Sequence, residues 1–155
     1  MISKNSSWIA LAGLLTGIAD GLFSSVLSVA FYGSSVKRLF QGVASVLLGA
    51  GALSGGTRTA AIGVLMHFGV ALAWSTVFAL VIWRSSAIRK VARSRFGVVK
   101  IAAIYGPVVW MVMSLIVIPW LTHRPPVITP RWWTQFFGHI VFVGLPIVAT
   151  TKKFA

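Results

Sequence analysis

Between Trp8 and Tyr32 the chain carries a single charged side chain, and comparable apolar runs follow at Ala60–Trp83 and Ile101–Leu121, with a shorter one at Trp132–Ala149. Crossing a hydrocarbon core takes ~20 predominantly apolar residues in a helix. Four membrane spans are therefore predicted, over about 8–32, 60–83, 98–121 and 132–150. Between the first two, Leu39, Val43, Val46, Leu47 and Ala50 recur at helical spacing. This short helix, over 37–53, is too short to cross and is expected to lie in the interface or re-enter. Gly55-Gly56 ends it before the second long span.

The prolines of "THRPPVITPR" force an extended or turning loop between the last two spans. Pro107, Pro119 and Pro146 kink or end their spans. Trp8, Trp83, Trp120, Trp132 and Trp133 sit at span ends, where aromatic rings anchor at headgroup level. No internal repeat interrupts the pattern. The expected fold is all-α: one integral-membrane four-helix bundle over 1–155, with the additional short helix between spans one and two.

Composition agrees with this picture. Charged residues make up 10% of the 155 residues, against roughly a quarter in soluble domains. The net charge of +13 would suit nucleic acid, but the basic residues lie in short loops between apolar spans, which favours anionic lipid as the partner. Nucleic-acid binding is not expected. With no cysteine, disulfides and thiolate chemistry are excluded. The first apolar stretch is longer than the core of a cleaved signal, so despite Ser28-Val29-Ala30 it is expected to remain.

Orientation follows from the basic residues. The loop 84–100 carries Arg84, Arg89, Lys90, Arg93, Arg95 and Lys100 and is expected to be cytoplasmic. With four spans, Lys4, Lys152 and Lys153 join that side, while Lys37, Arg38, Arg58, Arg124 and Arg131 lie outside. If the short helix crossed as well, the charge bias would be slightly stronger; length favours four. Both arrangements put the C-terminus in the cytoplasm, and four spans put the N-terminus there too. Lys37, Arg38, Gln41, Arg58, Arg89, Lys90, Arg93 and Arg95 are the candidate headgroup and interface residues.

Asp20 is the only acidic residue. It lies near the middle of the first span, beside the ladder Gly13, Gly17 and Gly21, which reads as a helix-contact ridge. It should therefore face protein. An ionised carboxylate at that depth costs several kcal/mol, so Asp20 is neutral or paired. It either performs a function or simply bonds a neighbouring helix.

His67 and His139 each lie seven residues inward from Ala60 and Trp132, and Ser114 lies seven from Leu121. With Gln135 a turn above His139, these groups are expected to form a polar layer ~10 Å below the outer boundary. Asp20 would sit a turn or two deeper, and a route from Arg58, His123 and Arg131 would lead down to it. The alternative is a set of interhelical hydrogen bonds worth ~0.6 kcal/mol each. Two histidines on different spans also permit bis-His haem, but no further motif supports one, and no metal or cofactor is expected. No Ser-His-Asp arrangement can be placed, so no catalytic residue is assigned.

"GLLTGIADGL", "KRLFQGVASVLLG", "GVLMHFGVALAWSTVF", "YGPVVWMVMSLIVIP" and "GHIVFVGLPIV" together resemble a group of small bacterial inner-membrane proteins with no established activity. The resemblance covers roughly residues 11–149. It implies four spans and draws attention to Asp20, Arg38, Gln41, His67 and His139. The basic loop is richer in charge than the group would suggest. Two functions remain open: transport of a proton or small solute through the polar pocket, or a non-catalytic accessory subunit, homo-oligomeric or bound to another membrane protein.

Overall fold

Helix-forming apolar runs bounded by prolines, glycines and serines give six helices, seen in a computed structural model that describes residues 7–155. They are α1 (Ser7–Phe31), α2 (Val36–Leu48), α3 (Gly56–Ile82), α4 (Ser86–Ala92), α5 (Gly97–Thr122) and α6 (Pro130–Phe154). No strand is present among the described residues. Helices α1, α3, α5 and α6 are 25–27 residues long and apolar enough to cross a membrane. Their outward faces are apolar, with Leu65 and Trp120 each 74% exposed, as lipid-facing surfaces should be. Lys4 lies outside the described residues.

Local chemistry sets the boundaries. Gly33 turns the chain after α1 with a positive φ, and the Ser35 hydroxyl then caps α2 by accepting from the Arg38 backbone N–H at 3.1 Å. Gly49 at φ 76° ends α2, which stops five residues short of the predicted limit; a separate 3-10 turn, Ala50–Ser54, continues to Gly55. The glycine pair then opens α3 at Gly56, four residues earlier than expected, rather than merely breaking the chain. At the far end of α3 the Arg89 guanidinium donates to the carbonyls of Trp83 and Arg84, and the basic loop holds the short helix α4. α6 also begins early, at Pro130, whose missing N–H costs nothing at the first helical position.

The Thr129 hydroxyl caps α6 through the Trp132 N–H. Losing such a cap costs ~1 kcal/mol. Thr129→Ala is therefore expected to lower the thermal midpoint of the detergent-purified protein by a few degrees; an unchanged midpoint would mean that the cap contributes nothing.

Each long helix contains one π-helical turn, at Leu27–Phe31, Phe78–Ile82, Met113–Val117 and Ile140–Gly144, and a proline lies close to the last two. Pro119 and Pro146 lack an N–H, and their rings crowd the carbonyls of Leu115 and Phe142 four residues earlier. A π-helical turn lies across each of these carbonyls, at Met113–Val117 and Ile140–Gly144, relieving the crowding within otherwise continuous spans.

The long helices alternate in direction. Gly13 and Gly17 of α1 face Leu72 and Phe68 of α3, so the predicted glycine ridge packs within the monomer. Ser28 and Ser24 of α1 bond Arg131 and Gln135 of α6. Gly106 and Gly144 bring α5 and α6 together against His139 and Ala102. Neighbours around the bundle thus run α3, α1, α6, α5. The α3 and α5 backbones stand further apart, and their side chains meet where the Tyr105 hydroxyl donates to the Trp74 carbonyl at 2.6 Å. Towards α4 from this contact Phe78, Ile101, Ala102, Ile147 and Val148 form an apolar core. α2 lies across α3, where Gly63 meets the Phe40 backbone.

Candidate functional site

Antiparallel packing converts sequence positions into depths. The α1–α6 bonds pair Ser28 with Arg131 and Ser24 with Gln135. One turn further along this register, Asp20 stands level with His139. Across α1–α3, Asp20 Oδ2 lies 4.0 Å from His67 Nε2. Both histidines are therefore at the level of Asp20 rather than above it. The expected depths were counted from Ala60 and Trp132, whereas α3 and α6 begin at Gly56 and Pro130. Ser114 departs the other way: its hydroxyl accepts from Trp132 Nε1 at 2.9 Å, about two turns nearer the α2 end than His139.

The polar groups thus form a ladder rather than one layer. Arg131, Ser28, Trp132 and Ser114 occupy the top rung, Ser24 and Gln135 the middle, and Asp20, His67 and His139 the bottom. The bottom rung is near mid-span, since Asp20 is the fourteenth of 25 residues in α1.

Backbone carbonyls orient both rings. His67 Nε2–H donates to the Gly17 carbonyl at 3.0 Å, leaving Nδ1 as the lone-pair nitrogen when the ring is neutral. His139 Nδ1–H donates to the Gln135 carbonyl at 2.7 Å, leaving its Nε2 as the acceptor. Phe40 and Phe68 meet the His67 ring edge-on, and Trp110 lies 4.9 Å from the His139 ring.

These residues share a cavity of ≈ 620 Å³. Asp20, Ser24, His67, Ser114, Gln135 and His139 all line it, and it extends to Arg124, Val127 and Thr129 in the proline-rich segment at the α2 end. Towards α4 it ends at Trp74, Val109 and Val143, where the apolar core begins. Arg124 and Arg131 are the cations on its wall; the two other surface groups of the expected route, Arg58 and His123, are not part of it.

Four buried polar atoms in this cavity lack a protein partner: Thr16 Oγ1, Asp20 Oδ1, Trp110 Nε1 and Gln135 Oε1. Such groups are rare and call for water or a ligand. Sequence reasoning missed Thr16 and Trp110. Thr16 lies one turn from Asp20 on the same face, a signal that was available; nothing in the pattern around Trp110 marked it.

The interface candidates divide. Lys37, Arg38, Arg58, Lys90, Arg93 and Arg95 are exposed, and Arg89 caps α3. Gln41 is a correction: it is 5% exposed, and its amide donates to the Gly56 carbonyl at 3.0 Å, because its face of α2 packs on α3. No protein-family pattern, curated protein or solved structure matches this chain.

Proposed function

We propose that this chain is a small multi-pass transport protein in which a proton, alone or with a small polar solute, enters the cavity from the α2 end and is exchanged by Asp20, His67 and His139 at mid-membrane. The observation carrying this reading is the convergence of the only acidic side chain and both span histidines on one cavity of ≈ 620 Å³ that reaches a surface loop. Ionisable groups within a membrane span are costly, and proton relays are a principal use for them. A carboxyl group and an imidazole 4.0 Å apart are beyond direct hydrogen bonding but within reach of one bridging water. The cavity ends at the core, so passage requires the α3–α5 contact at Trp74, Phe78 and Tyr105 to open.

In the same reading the protein belongs to a bacterial inner membrane, as the resembling group does, with the α4 end in the cytoplasm. That end gathers Arg84, Arg89, Lys90, Arg93, Arg95, Lys100, Lys152 and Lys153, against Lys37, Arg38, Arg58, Arg124 and Arg131 at the other.

Reconstituted into liposomes under a pH gradient, the protein is expected to dissipate the gradient faster than protein-free vesicles do. His67→Ala should return the rate to the protein-free level while removing one interhelical bond worth ~0.6 kcal/mol. Equal rates for wild type and variant would sink the proposal. They would favour a second reading, an accessory bundle whose polar groups only join helices. The bonds of Gln135 to Ser24 and of Trp132 to Ser114 support that alternative.

A further inference from the structure

The wide α3–α5 side of the bundle carries a second feature, which does not rest on proton exchange at Asp20. An apolar groove of ≈ 790 Å³ runs between α2, α3 and α5, lined by Val46, Val70, Met113 and Val117 among others. It is continuous with the polar cavity, sharing eight lining residues with it, among them Gly42, Val46, Val70, Met113 and Arg131.

Two helical glycines border this groove, Gly42 on α2 and Gly69 on α3. Glycine weakens a helix interior, and in this protein it is usually kept for close helix contacts, as at Gly13, Gly63 and Gly106. Gly42 and Gly69 have no such reason: a Cβ added at either meets no atom within 4 Å. Their effect is to deepen a groove that the protein itself does not fill.

Charge identifies the occupant. Arg38 and Arg131 line the same groove, together with the hydroxyl residues Ser28 and Ser34. Arg38 donates to the Leu53 carbonyl, and Arg131 donates to Ser28 Oγ and lies over the Tyr32 ring at 4.5 Å. These are neutral partners, and the one acidic side chain, Asp20, lies against His67 instead. Two guanidiniums beside an apolar groove open to the bilayer match a molecule with an anionic head and a hydrocarbon chain.

We propose that the α2–α3–α5 groove binds one anionic phospholipid, its phosphate held between Arg38 and Arg131 and an acyl chain lying along Gly42, Gly69 and Val70. The test uses the purified protein in neutral detergent with phosphatidylglycerol, phosphatidylcholine or inorganic phosphate as probe, read by thermal midpoint and by lipid retained in native mass spectrometry. Phosphatidylglycerol is expected to raise the midpoint and to be retained at one molecule per chain, with neither effect from phosphatidylcholine or phosphate. The double variant Arg38→Gln/Arg131→Gln should lose the shift. Gly69→Leu should lose it too while remaining as stable as wild type without lipid, since its side chain enters open space; this variant decides the matter if the double variant does not fold. Equal shifts with phosphatidylcholine, a shift reproduced by phosphate alone, or undiminished binding by Gly69→Leu would overturn the site.

Discussion

Asp20→Asn is expected to abolish proton movement in reconstituted vesicles at every pH tested and to leave the thermal midpoint in detergent unchanged or raised. Asparagine matches the carboxylate in size and keeps hydrogen-bonding capacity, but it takes up and releases no proton across the physiological range. The chain holds no second acidic side chain that could take over. An aspartate at the centre of a span costs ~3 kcal/mol to insert, and asparagine brings no ionisable group to that depth. Asp20 Oδ1 has no protein partner, so the substitution breaks no known interhelical bond at that atom. Lost flux with retained stability would separate proton exchange from helix locking. Full flux in the variant would remove Asp20 from the route.

How far the site could be read beforehand depended on which physical rule governs each residue. Four apolar runs of the right length made the bundle legible, and the spacing of Gly13, Gly17 and Gly21 marked a contact ridge. Residue type alone was enough to single out Asp20, His67, Gln135 and His139. Their relative depth was not legible, because it depends on which residues face one another across antiparallel helices. Gly17 set against Phe68, and Ser24 against Gln135, bring His67 and His139 level with Asp20. Counting from the apolar edges set them too high, since Gly56 and Pro130 open helices ahead of those edges. Gln41 was misplaced for a related reason. Its polarity suggested the interface, but tertiary packing of α2 on α3 buries the residue, and the Gly56 carbonyl satisfies its amide.

Glycine chemistry gives the second large effect, a loss of folding in Gly106→Leu. A Cβ at this position would lie 2.9 Å from the Ile140 backbone nitrogen and closer still to the His139 carbonyl. Overpacking costs ~1–3 kcal/mol when side chains can shift, and here the obstacle is the backbone of α6. Gly106→Ala already requires α5 and α6 to separate; the leucine should prevent monodisperse protein in detergent chromatography. The backbone that must move carries His139 and leads into the π-helical turn Ile140–Gly144, so even a partly folded variant would lose the alignment of His139 with Asp20. Gly69→Leu makes the same chemical change on α3 with no atom within 4 Å of the new Cβ, and should fold. The contrast isolates neighbouring atoms from helix propensity, because leucine is the better helix former at both sites. A monodisperse Gly106→Leu protein with the wild-type thermal midpoint would mean that α5 and α6 do not meet at His139, and the bottom rung of the polar ladder would have to be rebuilt.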